Sequence, residues 1–386
     1  MSNRAEPATA LVPALSYPLL RPQTVLPVIC VPEEAHLRQM GLSSIRVALY
    51  RANAGRNIHL PRVPTMKYVF IGHGDSGESA DVNPFSKVYD EVWTAGPAGR
   101  ERCRLAAAGV RDADIVEVGR PQLTAVQPWD GAPRRLPTVL YAPTWEGRDD
   151  RSSNTSLVSA GENIVRRSLE APRPVRVPYR LDPFTGARSA RAESAFLTTC
   201  PASPTDIVER TRDEAEASRV SGEDKARADV VARLRRLWSE THWRAVGDWQ
   251  HHATADGPQL YDCFNVADGL VADVSSVVSD FMASGKPCAV TDSAGLDTEL
   301  FRLRNTAAQA ATVLTPEASQ IGELLEAMAP DGADPFAADR QELKEYPFDP
   351  GRPDSLDRFD AAIRRLVAAS GRRNRTPDDV FAMDRG

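Results

Sequence analysis

Short apolar runs recur along the chain, each followed by a longer stretch in which apolar residues return every three or four positions. The runs are "VLPVICV" (25–31), "IRVALY" (45–50), "KYVFIG" (67–72), "EVWTAG" (91–96) and "DIVEVG" (114–119), then "TVLYAP" (138–143), "VRVPYR" (175–180), "GLVADV" (269–274) and "PCAVTD" (287–292). Short runs of this kind, bounded by turn residues, predict strands. Between them, "PAGRERCRLAAAG" and "TSLVSAGENIVRRSLEA" predict helices. Strand and helix in alternation predict parallel sheets covered on both sides. The Pro-rich stretch from Pro128 to Pro137 divides the runs into two sets. The expected organisation is an N-terminal Rossmann-like unit over 1–130, a second Rossmann-like nucleotide-binding unit over 138–312, and a helical C-terminal segment and tail over 313–386. The charge-dense segment "PTDIVERTRDEAEASRVSGEDKARADVVARLRRLW" predicts solvated helices inserted in the second unit at about 204–250.

Composition narrows the function classes. The chain has 386 residues, long enough for two cores, with 42% hydrophobic and 26% charged residues. Its formal net charge of -6 argues against a general nucleic-acid binder, so no nucleic-acid partner is expected. Five cysteines, scattered and never in a CxxC pair, argue against a disulfide scaffold or zinc ribbon and favour a reduced, cytoplasmic setting. No apolar run is long enough to cross a bilayer. The basic tail "IRRLVAASGRRNR" reads as a solvated helix end or a contact with an anionic membrane surface.

Candidate chemistry gathers where strands end, the side on which doubly wound sheets bind ligands. In "VFIGHGDSGES", His73 follows a strand directly, with Gly72 and Gly74 beside it and Asp75 and Ser76 after it. A histidine there serves as a general base or is satisfied by a backbone carbonyl in a tight turn. In "LYAPTWEG", Pro143 and Thr144 leave a strand, with a hydroxyl and backbone N–H suited to phosphate and Trp145 packing beneath. In "VPYRLDPFTGAR", Arg180 emerges at a strand end, with Asp182 and the Thr185-Gly186 turn behind it. In "LVADVSSVVSDFMASGKPCAVTD", Ser275 or Ser276 caps a helix whose N-terminus suits an anion, and Asp280 lies four residues on along the same face. A plain helix cap fits that stretch equally well. Asp273 reads as a turn-stabilising residue.

Taken together and in this order, the motifs resemble the CDP-glycerol glycerophosphotransferase family, the polymerases and primases of wall teichoic acid and related capsule polymers. The "HG" turn matches at His73-Gly74, "YAPTW" at Tyr141 to Trp145, and the "DxxxTDYSSxxxD" block at Asp268 to Asp280, with Ala272 for Thr and Val274 for Tyr. "GKP" matches at Gly285 to Pro287, and "NPFSKVYDEVWTAGPAGRERC" and "EVGRPQL" look like actinobacterial members. The resemblance covers roughly 45–292. It implies a GT-B-like α/β fold, two doubly wound units facing a cleft, acting as a transferase without cofactor or metal. It implies donor or nucleotide contacts at Gly74, Asp75, Ser76, Pro143, Thr144, Arg180, Asp182, Ser275, Ser276 and Asp280, with His73 as the base for the acceptor hydroxyl. The implied donor is CDP-glycerol or a related CDP-polyol, the acceptor lipid-linked or polymeric, the place of work the cytoplasm with peripheral membrane association. Two positions depart from the pattern. Asp182 stands where the family has a second histidine, and Gln122 where it has an arginine, so Arg120 and Gln122 are further candidates; the adjacent His251-His252 pair could supply the missing imidazole. A nucleotide-sugar glycosyltransferase or epimerase of the same architecture, and a degenerate nucleotide-binding protein, are the alternative readings.

Overall fold

The structure is a computed structural model that describes residues 8–12, 16–21, 24, 26–52, 60–72, 84–107, 109–131, 136–145, 155–180, 182, 185, 251–253, 259–348 and 354–373. The predicted charged insertion, about 204–250, lies outside the described residues. So do His73, Gly74, Asp75 and Ser76.

Twelve strands are described: β1 (Ala10–Val12), β2 (Val28–Cys30), β3 (Val47–Tyr50), β4 (Lys67–Phe70), β5 (Glu91–Thr94), β6 (Ile115–Glu117), β7 (Val139–Ala142), β8 (Val177–Tyr179), β9 (His251–Ala253), β10 (Gly269–Asp273), β11 (Cys288–Thr291) and β12 (Thr312–Leu314). The described helices are α1 (Tyr17–Leu20), α2 (Glu34–Gln39), α3 (Pro97–Leu105), α4 (Gly161–Leu169), α5 (Leu260–Val266), α6 (Ser276–Met282), α7 (Thr298–Arg304), α8 (Ile321–Ala327), α9 (Ala337–Phe348) and α10 (Ser355–Arg373). All nine predicted strands are present, trimmed by a residue or more at their ends. β1, β9 and β12, three residues each, are not among the predicted runs.

Among the described residues every strand pairing is parallel. β1 and β2 form a two-stranded ribbon, β3-β4-β5-β6 a first sheet, and β12-β11-β10-β7-β8-β9 a second. The chain passes from one sheet to the other between Glu117 and Val139.

The second sheet explains why its strands read as unbroken apolar runs. Leu140, Ala142, Leu270, Ala272 and Val290 face one core with α5, α6 and α7. Val139, Tyr141, Val177, Val271 and Ala289 face another with α4 and α8. Alternate residues of one strand therefore enter different cores, and both must be apolar. The first sheet has the same design with a long-range component. Tyr68, Phe70, Val92 and Ile115 pack against Leu42, Met66 and Cys103 on one side. Val69, Trp93 and Val118 on the other side are covered by Phe359, Ala362, Ile363 and Leu366 of α10.

The C-terminal helix thus closes the first sheet, although it follows the second in sequence. Arg365 sets its two Nη atoms on the two Glu91 carboxylate oxygens at 2.6 Å each, and Ser370 donates to the Thr65 carbonyl at 2.8 Å. Helix α9 bridges the two halves, lying against α3 of the first and α6 of the second.

One predicted helix begins late. Thr155 and Ser156 are irregular, Leu157 to Ala160 form a turn, and α4 starts at Gly161. The Ser156 N–H is committed to Asp273 across the sheet, which fixes that stretch as a loop.

Candidate functional site

Parallel strands end on one edge, so motif residues that follow neighbouring strands come together. In the second sheet, β8, β7, β10 and β11 are consecutive neighbours. Ala142 pairs with Ala272, Tyr141 with Tyr179, and Asp273 with Thr291. Arg180, Pro143-Thr144, Ser275-Ser276 and Asp292 therefore leave four adjacent carboxyl ends.

Asp273 joins three of those ends. Its side chain is fully buried. Oδ2 accepts from the Thr144 N–H at 2.8 Å and the Ser156 N–H at 3.1 Å, and Oδ1 accepts from the Thr291 hydroxyl. Burial pushes its carboxyl up to about 6, against the pull of the Ser156 and Thr291 bonds. These contacts suit the turn-stabilising role. Tyr141 completes the support: its Oη and Ser156 Oγ share a hydrogen bond at 2.9 Å, and its ring stacks on Tyr179 at 5.1 Å between centroids. Desolvation, with the Asp273 charge behind it, raises the Tyr141 phenol well above its ordinary range.

The motif residues take these positions. Pro143 is buried and Thr144 half-buried. Arg180 is half-buried, and its N–H donates to the Tyr141 carbonyl at 2.8 Å. Asp182 is half-buried, and its carbonyl accepts from the Thr185 N–H at 3.0 Å, a tight turn. Ser275 is the residue before α6, but its hydroxyl donates to the Asp273 carbonyl at 3.2 Å rather than capping the helix. Asp268 sits at the opposite edge, where its carboxylate accepts from the Thr138 N–H at 2.9 Å and fixes the start of β7. The lysine of "GKP" is structural: Lys286 Nζ donates to the carbonyls of Phe264 and Ala267 at 2.7 Å each, satisfying the end of α5.

The first sheet contributes from β4 and β6. Beyond β4 the chain turns at Gly72, whose φ of 63° suits glycine, immediately before His73. Beyond β6, Gly119 has a φ of 79°, and a Cβ there would lie 2.4 Å from Ser355 Cβ of α10. This turn delivers Arg120. Gln122, two residues on, is exposed.

Arg120 meets Asp280. Its Nη2 lies 2.5 Å from both carboxylate oxygens, and the side chains are 10% and 5% exposed. Tyr261 of α5 donates its hydroxyl to Asp280 Oδ2 at 3.0 Å. Burial and the Asp280 charge raise the Tyr261 phenol. This trio joins the turn after the first sheet to two helices of the second. Tyr261 carries no local signal in the sequence, because only the packing of α5 against α6 aligns it with Asp280. The linker is pinned nearby: Asn265 accepts from the Gln127 N–H and donates to the Ala125 carbonyl, both at 2.8 Å.

His251 and His252 lie on β9, the edge strand beside β8, in register with Val177 and Pro178. Among the described residues no cluster of His, Cys, Asp and Glu suits a metal ion, and no helix is long and apolar enough to cross a membrane.

No protein-family model matches the chain, and no curated protein matches it. Solved structures do. The wall teichoic acid polymerase TagF superposes with a TM-score of 0.53 at 12% identity, over 89% of this chain and 78% of that one. A histidine-to-asparagine variant of it soaked with CDPG gives a TM-score of 0.53 at 12% identity, over 95% and 90% of the two chains. At that identity the likeness speaks for the fold, and the chain has the GT-B-like architecture of TagF: two parallel α/β units with a helical C-terminal segment.

Proposed function

We propose that the protein transfers glycerol phosphate, or a related polyol phosphate, from a CDP-activated donor to an acceptor hydroxyl during synthesis of an anionic cell-surface polymer, releasing CMP. One observation carries this reading. Residues of three separate motifs, Pro143-Thr144, Arg180 and Ser275-Ser276, leave adjacent carboxyl ends of one parallel sheet, in a fold shared with TagF.

In this reading the second unit holds the nucleotide. Arg180, with the Thr144 and Ser275-Ser276 hydroxyls and backbone, offsets the diphosphate charge, and Asp280 receives hydroxyls of the donor polyol. His73, with Gly74, Asp75 and Ser76, follows β4 in the sequence and is assigned to the acceptor. It removes the acceptor proton as the oxygen attacks the β-phosphorus. The new P–O bond forms while the bond to the CMP oxygen breaks, and CMP carries off the electron pair. Catalysis of this kind rests on positioning and on neutralising charge that is already present. A lipid-linked acceptor would place the work at the cytoplasmic membrane face.

Asp182 and Gln122, at positions where the resemblance expects histidine and arginine, favour a second reading: nucleotide binding without turnover. One assay separates the two. CMP release from CDP-glycerol, with a glycerophosphate-primed acceptor, is expected from the native chain and abolished in His73→Ala. Release equal in both proteins refutes the transferase mechanism. Donor-dependent thermal stabilisation without release supports the second reading. Turnover of a UDP-sugar, with no response to CDP-glycerol, points instead to a nucleotide-sugar enzyme.

A further inference from the structure

Arginine and carboxylate usually meet as a fork, two nitrogens on two oxygens. Arg365 and Glu91 do so in this protein. Arg120 and Asp280 do not: one nitrogen, Nη2, serves both carboxylate oxygens. Arg120 Nε is buried and has no partner among the described residues. A buried guanidinium with an idle N–H is costly unless something else uses it. Asp280 follows Ser276 by four residues, so by helical rise the pair lies about 6 Å along α6 from the candidate phosphate contacts.

The pair also joins parts of the molecule that nothing local brings together. Arg120 comes from the turn after β6, held by Gly119 against α10, while Asp280 and Tyr261 belong to the second unit. Parting the two side chains strands two buried charges unless a ligand satisfies both at once.

We infer that Arg120 and Asp280 form an exchange latch that selects the complete donor. Without ligand, the two satisfy each other across the halves. When a diphosphate-linked polyol binds, its phosphate takes the fork edge of Arg120, Nε included, and a polyol hydroxyl takes the place of Arg120 on Asp280, which Tyr261 keeps in position. Fragments of the donor replace only one partner and bind poorly. The inference rests on the donor reading for the identity of the ligand, but the exchange itself is tested with pyrophosphate.

The experiment is calorimetric titration of the full chain with pyrophosphate, CMP and CDP-glycerol. Asp280→Asn releases Arg120, so pyrophosphate is expected to bind about tenfold more tightly than to the native protein, because the competing closed pair no longer draws on the population. CDP-glycerol is expected to bind more weakly, so the preference for the whole donor over its fragments collapses. The paired substitution Arg120→Gln with Asp280→Asn keeps the buried site neutral and guards against misfolding. It is expected to lose pyrophosphate affinity by about tenfold or more. Pyrophosphate affinity unchanged or reduced in Asp280→Asn, or unchanged in the double variant, overturns the latch. A gain for pyrophosphate in a protein that ignores CDP-glycerol supports the latch and refutes only the choice of donor.

Discussion

Replacing Asp273 by asparagine separates two things that this carboxylate does. It accepts three hydrogen bonds that hold the ends of β7, β10 and β11 in place, and it carries its carboxyl in a fully buried position. Asparagine keeps the first role. Its carbonyl oxygen can accept from the Thr144 and Ser156 N–H groups, and its amide can donate to the Thr291 hydroxyl, which is also an acceptor. Alanine keeps neither role and leaves buried donors unsatisfied, at about 1–3 kcal/mol each. The charge follows the opposite logic. Burial raises the Asp273 carboxyl from 3.8 to about 6, so the folded protein binds a proton that the unfolded chain has released. A raised folded value means stability present at low pH and lost as pH rises through about 6. At 1.36 kcal/mol per tenfold, the full loss is about 3 kcal/mol, and about 2 kcal/mol of it falls between pH 4.5 and 7.5. Urea unfolding of the native chain, Asp273→Asn and Asp273→Ala across that range provides the test. The asparagine variant should gain on the native chain by about 2 kcal/mol from pH 4.5 to 7.5. The alanine variant should be the least stable at every pH. A native–asparagine difference that stays flat with pH, or an asparagine variant as damaged as alanine at pH 7.5, refutes the reasoning.

Three further outcomes follow from the packing. Leu366, 2% exposed beneath the first sheet, should cost about 2–5 kcal/mol when replaced by alanine. Because the Phe359 ring meets Trp93 edge-on at 5.1 Å in the same core, the loss should be visible in tryptophan emission during thermal unfolding. Lys286→Met leaves the carbonyls that end α5 without a donor and should lower stability by about 2–4 kcal/mol; a calorimetric melt within 0.5 kcal/mol or so of native contradicts the capping role. Gly119→Ala meets both a positive φ and the Ser355 side chain, and should cost about 1–3 kcal/mol in chemical denaturation. An alanine there that is neutral means the turn does not hold Arg120 as described.

The amino-acid sequence by itself determined the class of fold and the strand ends on which chemistry gathers. Runs such as "TVLYAP" and "GLVADV" show that both faces of each strand are buried, and a parallel sheet under two layers of helices is the arrangement that satisfies this. Such a sheet puts the carboxyl ends of its strands on one edge, so Pro143, Thr144, Arg180 and Ser275 were legible as sharing that edge, while the strand order that makes them neighbours was not. Three things were decided only by tertiary structure. Helix α10 reads as a separate C-terminal element, because amphipathic periodicity says that a face is buried and not against what; in the fold it covers β3 and β4. Lys286 reads as part of the "GKP" motif, and only the approach of α5 shows it closing a helix. Asp280 reads as a ligand contact on the same helical face as Ser276, yet it is buried against Arg120, 160 residues away in sequence, with Tyr261 beside it. Local pattern is set by helical and strand period, which spans a few residues. Pairing across two sheets is set by how the cores pack, and no period in the chain encodes it.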